Sequence, residues 1–351
     1  MDLVMFIVVI SVLISASFLA RYCDLSDSGA CRGFRILWGL VIVGLPVYTL
    51  VSVIFMYQQT GEASNDELVR WALAGGLAIF AAPYLWVTVF SRTLRQHVAR
   101  LLNRPATADP FGAIPGGHRG FDPQRITHAY ALGLVQLLLV QTLIEFLVVG
   151  GQSGLVNSGL LEQDVVTAAA VSAAMLILVT LAGVGFMNDR NWRQVAERLG
   201  LTRPTISHLS WGITVAGLLL AFQFCAGTVW TLLVPVETFE QQTQLSQAIA
   251  NSVTTLSAAF LVALFSSIGE ELAFRGALQP VLGLWPTAIF FALTHIQYQF
   301  TPAVLIILVV GLAFGWVRKH HGTIAAVVAH FGYNFALLVL AWLASQLPPV
   351  S

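Results

Sequence analysis

Three short stretches near the C-terminal end carry side chains that could do acid–base chemistry inside an otherwise apolar sequence. The first is Gly269-Glu270-Glu271-Leu272-Ala273-Phe274-Arg275, the second runs from Phe291 to His295, and the third is His330-Phe331-Gly332-Tyr333-Asn334. On a helix, Glu271 and Arg275 stand one turn apart on one face, so the arginine's charge can be compensated where it stands. Glu270 is turned about 100° from Glu271 and has no local partner. A carboxylate alone in a low-dielectric setting either takes up a proton or needs an imidazole or a water beside it, which makes Glu270 a candidate general base. His330 and Asn334 are again one turn apart and present a ring nitrogen and an amide on one face. Each set taken singly also has a structural explanation: an ion pair, a satisfied histidine, or a hydrogen bond between helices.

The elements that must hold these side chains are membrane helices. Of the 351 residues, 57% are hydrophobic and only 10% charged, with a mean hydropathy of +0.80. Soluble domains carry about 25% charged residues, so this mixture cannot make a water-facing surface. The formal net charge is zero, which argues against a nucleic-acid partner. We therefore expect an all-α polytopic membrane protein. Ten stretches are apolar enough to cross: 3–20, 36–57, 71–90, 129–150, 165–187, 209–235, about 252–283, about 285–300, 302–317 and 323–346. The first lacks a basic region before it and is expected to be a retained helix rather than a signal peptide. Residues 1–245 are expected to form N-terminal transmembrane helices with interfacial loops, and 246–351 a catalytic helical core.

Fifteen of the 17 lysines and arginines fall in alternate loops, leaving Arg70 and Arg275 apart. The intervening loops hold Glu62, Asp66, Glu67, Glu162, Asp164, Glu237 and Glu240. This alternation predicts both termini on the non-cytoplasmic side and a site open to the cytoplasm. Two basic loops have their own character. Residues 91–104 place Leu94, Val98 and Leu101 at helical spacing among arginines, as an interfacial amphipathic helix does, and 105–120 is rich in Pro and Gly and expected to be irregular. Residues 192–208 superficially resemble a helix-turn-helix, but the stretch is too short for the core of a DNA reader, so an interfacial helix is expected. Cys23 and Cys31 lie in a basic loop and, with Cys225, are expected to be free thiols. Glu145 sits near an outer helix end and is expected to snorkel or to pair with a neighbouring helix.

Depth decides whether the three sets can meet. Counting from helix ends near Leu282, Trp285 and Thr323, Glu270 lies roughly 18 Å in, His295 roughly 15 Å, His330 roughly 10 Å and Asn334 roughly 17 Å. All four fall within the basic-face half to the middle of a core about 30 Å thick. Unrelated structural polar residues would not be expected to share a level three times over.

Glu-Glu-x-x-x-Arg, Phe-x-x-x-His and His-x-x-x-Asn, in that order on successive helices, resemble the motifs of the CAAX-protease and bacteriocin-processing family, the type II CAAX prenyl endopeptidase or Abi relatives. The resemblance covers roughly 250–345. It implies an intramembrane glutamate-dependent endopeptidase with no cofactor. Glu270 and His295 would activate a water, His330 and Asn334 would stabilise the oxyanion, and Glu271 with Arg275 and Phe291 would support the site. It also implies membrane lipid as the surrounding and a peptide or protein substrate, with a lipidated tail among the options, in a bacterial plasma membrane. Which glutamate is the base stays open. Two histidines and a glutamate could instead ligate zinc, although no HExxH occurs. A serine enzyme is disfavoured because no GxSxG is present, Gly151-Gln152-Ser153-Gly154 lying in an outer loop. A non-enzymatic scaffold, immunity protein or transporter is the remaining class, and the first six stretches hold no matching polar cluster, as a transporter with inverted repeats would.

Overall fold

The computed structural model describes residues 3–25, 28–102, 120–151, 154, 164–295 and 301–346, and these are helical nearly throughout. Four helices form one packed unit: α1 (Leu3–Leu25), α2 (Ser28–Thr60), α3 (Asn65–Phe90) and α5 (Ile126–Val149), with the short amphipathic α4 (Arg92–Leu102) following α3. Their shared core centres on aromatic side chains, Tyr130 taking the edges of Phe34 and Trp38 at 5.4 and 5.3 Å. Local chemistry sets the helix starts. Ser64 and Glu67 form a reciprocal capping box on α3, and Asp24 accepts from the Ile126 amide at 2.6 Å, supplying the start of α5 from another helix.

The second unit holds α6 (Val165–Gly183), α7 (Trp192–Leu199), α8 (Ile206–Leu233), α9 (Val236–Asn251), α10 (Leu256–Glu270), α11 (Gln279–Leu282), α12 (Leu284–Thr294) and α13 (Ala303–Ser345). A π-helical segment, Glu271–Leu278, joins α10 to α11 without interruption. Helix α8 packs along α13, while α10 lies against both α6 and α13, and α12 lies against α13. The helices after residue 246 therefore bury their faces partly on α6 and α8, which precede it.

Eight helices among the described residues are long and apolar enough to cross a membrane, so the all-α polytopic class stands. The expected count of ten is not reproduced. The stretches 302–317 and 323–346 are two arms of the single 43-residue α13, bent at Gly322. The stretch expected at 285–300 is the short α12, only 11 residues and about half of a bilayer core in length, ending at His295; residues 296–300 lie outside the described residues. Gly283, before α12, and Gly322 share one unusual backbone conformation, φ 89 and ψ 172 against φ 88 and ψ 171. Only glycine adopts it without strain, so two glycines set the turns that aim the helices carrying His295 and His330.

One expectation is corrected here. Cys23 and Cys31 are joined by a disulfide, while Cys225 is free and exposed. Helices α1 and α2 run further than the hydropathy pattern suggested, to Leu25 and from Ser28, so the two cysteines face each other across a tight hairpin with Cα atoms 4.8 Å apart. Two further expectations, the irregular loop after α4 and the Gly151–Gly154 turn, fall largely outside the described residues.

Candidate active site

Helix α10 is capped by Thr255, whose hydroxyl accepts from the Ala258 amide at 3.1 Å, and it runs regularly as far as Glu270. From Glu271 the turns widen. A π-turn shifts hydrogen bonding to i→i+5 and often marks functional positions. Three successive carbonyls of this segment receive arginine side chains from elsewhere: Arg318 Nε donates to Arg275 O at 2.9 Å, and Arg198 donates to Gly276 O at 2.9 Å and Ala277 O at 3.2 Å. Arg198 belongs to α7, the helix that the sequence places at the interface. The same helix end touches the bend of α13, since Thr323 donates from its hydroxyl to Leu199 O and from its amide to Gly200 O.

Glu271, Arg275 and His330 form a buried group. Glu271 and Arg275 are fully buried, with Arg275 Nε 3.3 Å from Glu271 Oε2, and His330 Nδ1 lies 2.9 Å from Glu271 Oε1. The Glu271–Arg275 contact has ion-pair distance without hydrogen-bond alignment, so it acts through charge. Arg275 also places its Cζ 4.5 Å above the Phe291 ring, a cation–π contact that partly replaces lost hydration. Phe291 has further neighbours: the rings of His295 at 4.6 Å, His330 at 6.0 Å and Phe274 at 5.3 Å. Phe314 stacks on His330 at 4.7 Å. The His330 ring is thus fixed in position by aromatics and by a carboxylate.

Glu270 faces a different partner. Its Oε2 is 3.9 Å from His295 Nε2, and the two side chains keep 23% and 20% of their exposure, unlike the sealed group beside them. That separation is too long for a hydrogen bond, yet one water can reach both side chains with bonds of about 2.8 Å. Neither Glu270 Oε2 nor Glu271 Oε2 accepts a hydrogen bond among the described residues; Glu271 Oε2 has Arg275 at 3.3 Å, whereas Glu270 Oε2 has only His295 at 3.9 Å. His295 Nδ1 lies 2.7 Å from the Phe291 carbonyl, which can only accept, so Nδ1 carries a proton and Nε2 is the nitrogen that faces Glu270.

Asn334 donates from Nδ2 to Ser266 Oγ at 3.4 Å, linking α13 to α10 one turn before Glu270. The structure thus joins the sequence-derived residues in two neighbouring sets, Glu270 with His295 and Glu271 with Arg275, Phe291 and His330, and Asn334 contacts the turn that precedes them. Sequence reasoning missed Ser266, although its spacing of four from Glu270 on one helix face was a usable signal. It also missed Arg198 and Arg318, which were counted as topology markers, and Phe314, which looks like any apolar residue. Glu145 lies apart from this site, accepting from Tyr48 at 3.0 Å and Gln141 at 3.2 Å, so it pairs between helices as expected. Among the described residues no three His, Cys, Asp or Glu side chains gather as metal ligands would.

Residues 252–336 match the family model described as type II CAAX prenyl endopeptidase Rce1-like. The matched stretch begins just before α10 and ends inside α13, so it contains Glu270, Glu271, Arg275, Phe291, His295, His330 and Asn334. This stretch, about a quarter of the chain, is similar to the domain of that CAAX-type endopeptidase family. No curated protein and no solved structure matches the chain.

Proposed function

We propose that this chain is a glutamate-dependent intramembrane endopeptidase in which Glu270, not Glu271, is the general base. The observation that carries the proposal is the contrast between the two carboxylates. Glu271 is sealed and committed to Arg275 and His330, whereas Glu270 is partly accessible and stands 3.9 Å from His295 Nε2. A water between them donates one hydrogen to Glu270 and the other to His295 Nε2, which leaves its own lone pair for a peptide carbonyl. As the new C–O bond forms, Glu270 takes the proton. It returns that proton to the departing amine nitrogen when the C–N bond breaks.

The developing oxyanion needs N–H donors. Asn334 gives one N–H of its amide to Ser266 and has a second on the same nitrogen. His330, held by the contact of its Nδ1 to Glu271, is the second polar group assigned to that position. Glu271, Arg275 and Phe291 support this arrangement. The substrate is a membrane-associated peptide or protein segment that enters from the arginine-rich face.

The test compares membrane proteomes of cells carrying the wild type and Glu270→Gln, scored for processed termini, with purified protein assayed in excess chelator. Loss of processing in Glu270→Gln together with chelator-resistant activity supports the proposal. Full processing by Glu270→Gln sinks the assignment of the base, and chelator-sensitive activity restored by zinc sinks the metal-independent mechanism.

A further inference from the structure

Away from the carboxylates, α1, α5 and α6 diverge around a cavity of about 210 Å³, and the π-segment closes it with Ala273, Phe274, Ala277 and Leu278. Its wall is polarised along α5. At the end where α5 starts it carries Arg21, Arg125, Arg190 and Arg198, with no carboxylate among the described lining residues. Deeper, α5 contributes Ala131, Leu134 and Leu138, and α6 contributes Val179 and Met175. Leu138 lies about 20 Å along the helix from Arg125, about two-thirds of the way across a bilayer core.

The four guanidinium groups are held at the rim. Arg21 is bonded to Asp189, and Arg125 sits 3.4 Å from Asp122, both carboxylates being outside the lining. Arg190 donates to Val184 O, and Arg198 to the Gly276 and Ala277 carbonyls. Contacts to carbonyls orient a guanidinium, and Asp189 acts through charge on Arg190 as well as on Arg21. A greasy slot with a basic rim at interface depth matches one chemistry: an acyl chain attached to an anionic phosphodiester. A zwitterionic headgroup brings its own cation to the same rim and is disfavoured.

We propose that this cavity is a binding site for an anionic phospholipid, with one acyl chain between α1, α5 and α6 and the headgroup phosphate at Arg21, Arg125, Arg190 and Arg198. The site is separate from peptide hydrolysis and stands or falls independently of it. It is nonetheless in contact with the catalytic helix. Arg198 serves both the rim and the π-segment carbonyls, and Phe274 of the wall packs edge-on against Phe291. Headgroup binding therefore bears on the segment that follows Glu270.

The test uses the full-length protein in neutral detergent, with thermal unfolding followed as phosphatidylglycerol, phosphatidylcholine or inorganic phosphate is added. Phosphatidylglycerol is expected to raise Tm while the other two leave it in place. Ala131→Trp, whose indole fills the slot, should abolish the response, and Arg125→Gln should weaken it. An equal response to phosphatidylcholine, a response to phosphate alone, or an unchanged phosphatidylglycerol response in Ala131→Trp overturns the proposal. Because that variant can fail to fold, the wild type is also photo-crosslinked with phosphatidylglycerol carrying a diazirine on its acyl chain. Adducts on Leu134, Leu138 or Val179 support the site. Adducts confined to outward residues such as the 79% exposed Phe80, or no adducts, overturn it.

Discussion

His330 Nδ1 lies 2.9 Å from Glu271 Oε1, and through that contact the second arm of α13 is joined to the π-segment after α10. Glu271 at the same time sets its other oxygen 3.3 Å from Arg275, so one fully buried carboxylate serves two cationic or ionisable partners. Its neighbour in sequence, Glu270, acts on Arg275 only through longer-range charge. Two adjacent glutamates thus have separate consequences when changed. Glu271→Gln leaves Arg275 buried without its counter-charge, a defect that costs about 3–5 kcal/mol. Glu270→Gln is isosteric at a partly exposed position and should leave stability nearly unchanged while lowering kcat by roughly 10²–10⁴-fold. Thermal unfolding and single-turnover assays on both variants check the split. A Glu270→Gln protein as unstable as Glu271→Gln would remove the distinction.

Much of this was legible because depth in a membrane can be counted. Helix ends and a fixed rise put Glu270 and His295 at nearly one level, and the two side chains meet at 3.9 Å. Other features left no trace in residue spacing. The π-turns at Glu271–Leu278 come from helix packing and from carbonyls capped by Arg198 and Arg318, side chains far away in sequence or on another helix. Hydropathy treats 302–317 and 323–346 as separate stretches, because a bend at one glycine and a true loop look alike in a sliding average. The Cys23–Cys31 pairing was hidden because three cysteines without a CxxC pair, two of them in a loop assigned to the cytoplasmic side, read as free thiols; the closeness of the ends of α1 and α2 that joins them leaves no mark in the spacing.

Asn334 is the remaining polar residue with a direct role in the proposed chemistry. Removing one oxyanion donor typically lowers kcat by 10²–10³-fold, roughly 3–4 kcal/mol. Asn334→Ala should show that loss with KM little changed, since the interaction forms only as charge develops. Ser266→Ala, which removes only the partner of Asn334 Nδ2, should cost far less. Equal losses in the two variants would mean that Asn334 acts mainly by bracing α10.

The disulfide makes a prediction that needs no activity. Intact mass and peptide mapping without reductant should show Cys23 linked to Cys31 and Cys225 fully alkylated. Cys23→Ser removes a crosslink closing a short loop, worth about 2 kcal/mol in the chain-entropy account. A protein in which all three cysteines alkylate without reductant contradicts the pairing.

Asp189, in the connection after α6, supplies a pH dependence. The hydrogen bond from Arg21 Nε at 2.9 Å is the main cause holding its carboxyl below the ordinary aspartate value, with burial opposing it. A depressed folded value means the stabilisation is complete above the unfolded value of about 3.9 and is lost as pH falls through the lower folded one. Wild type should therefore lose Tm more steeply than Asp189→Asn on acidification below pH of about 4. Parallel Tm profiles for the two proteins would show that the Arg21 contact contributes no pH-linked stability.

Arg198 is the sharpest case of a residue outside the family-matched stretch acting on the site. Its planar fork spans the Gly276 and Ala277 carbonyls, a geometry that a single ammonium cannot reproduce. These carbonyls lie in the turn just after Arg275, so losing the fork lets the π-segment relax and moves Glu270 relative to His295. A displacement of about 1 Å at a reacting group can cost 10²-fold in rate. We expect Arg198→Gln to lower kcat by roughly tenfold or more with KM nearly constant, and Arg198→Lys to recover part of the loss. A residue that merely holds α7 in place would instead change Tm and expression without separating kcat from KM. Should Arg198→Gln match wild-type kcat while the Glu270→Gln protein is inactive, the π-segment keeps its geometry without the arginine, and the positioning role falls while the base assignment survives.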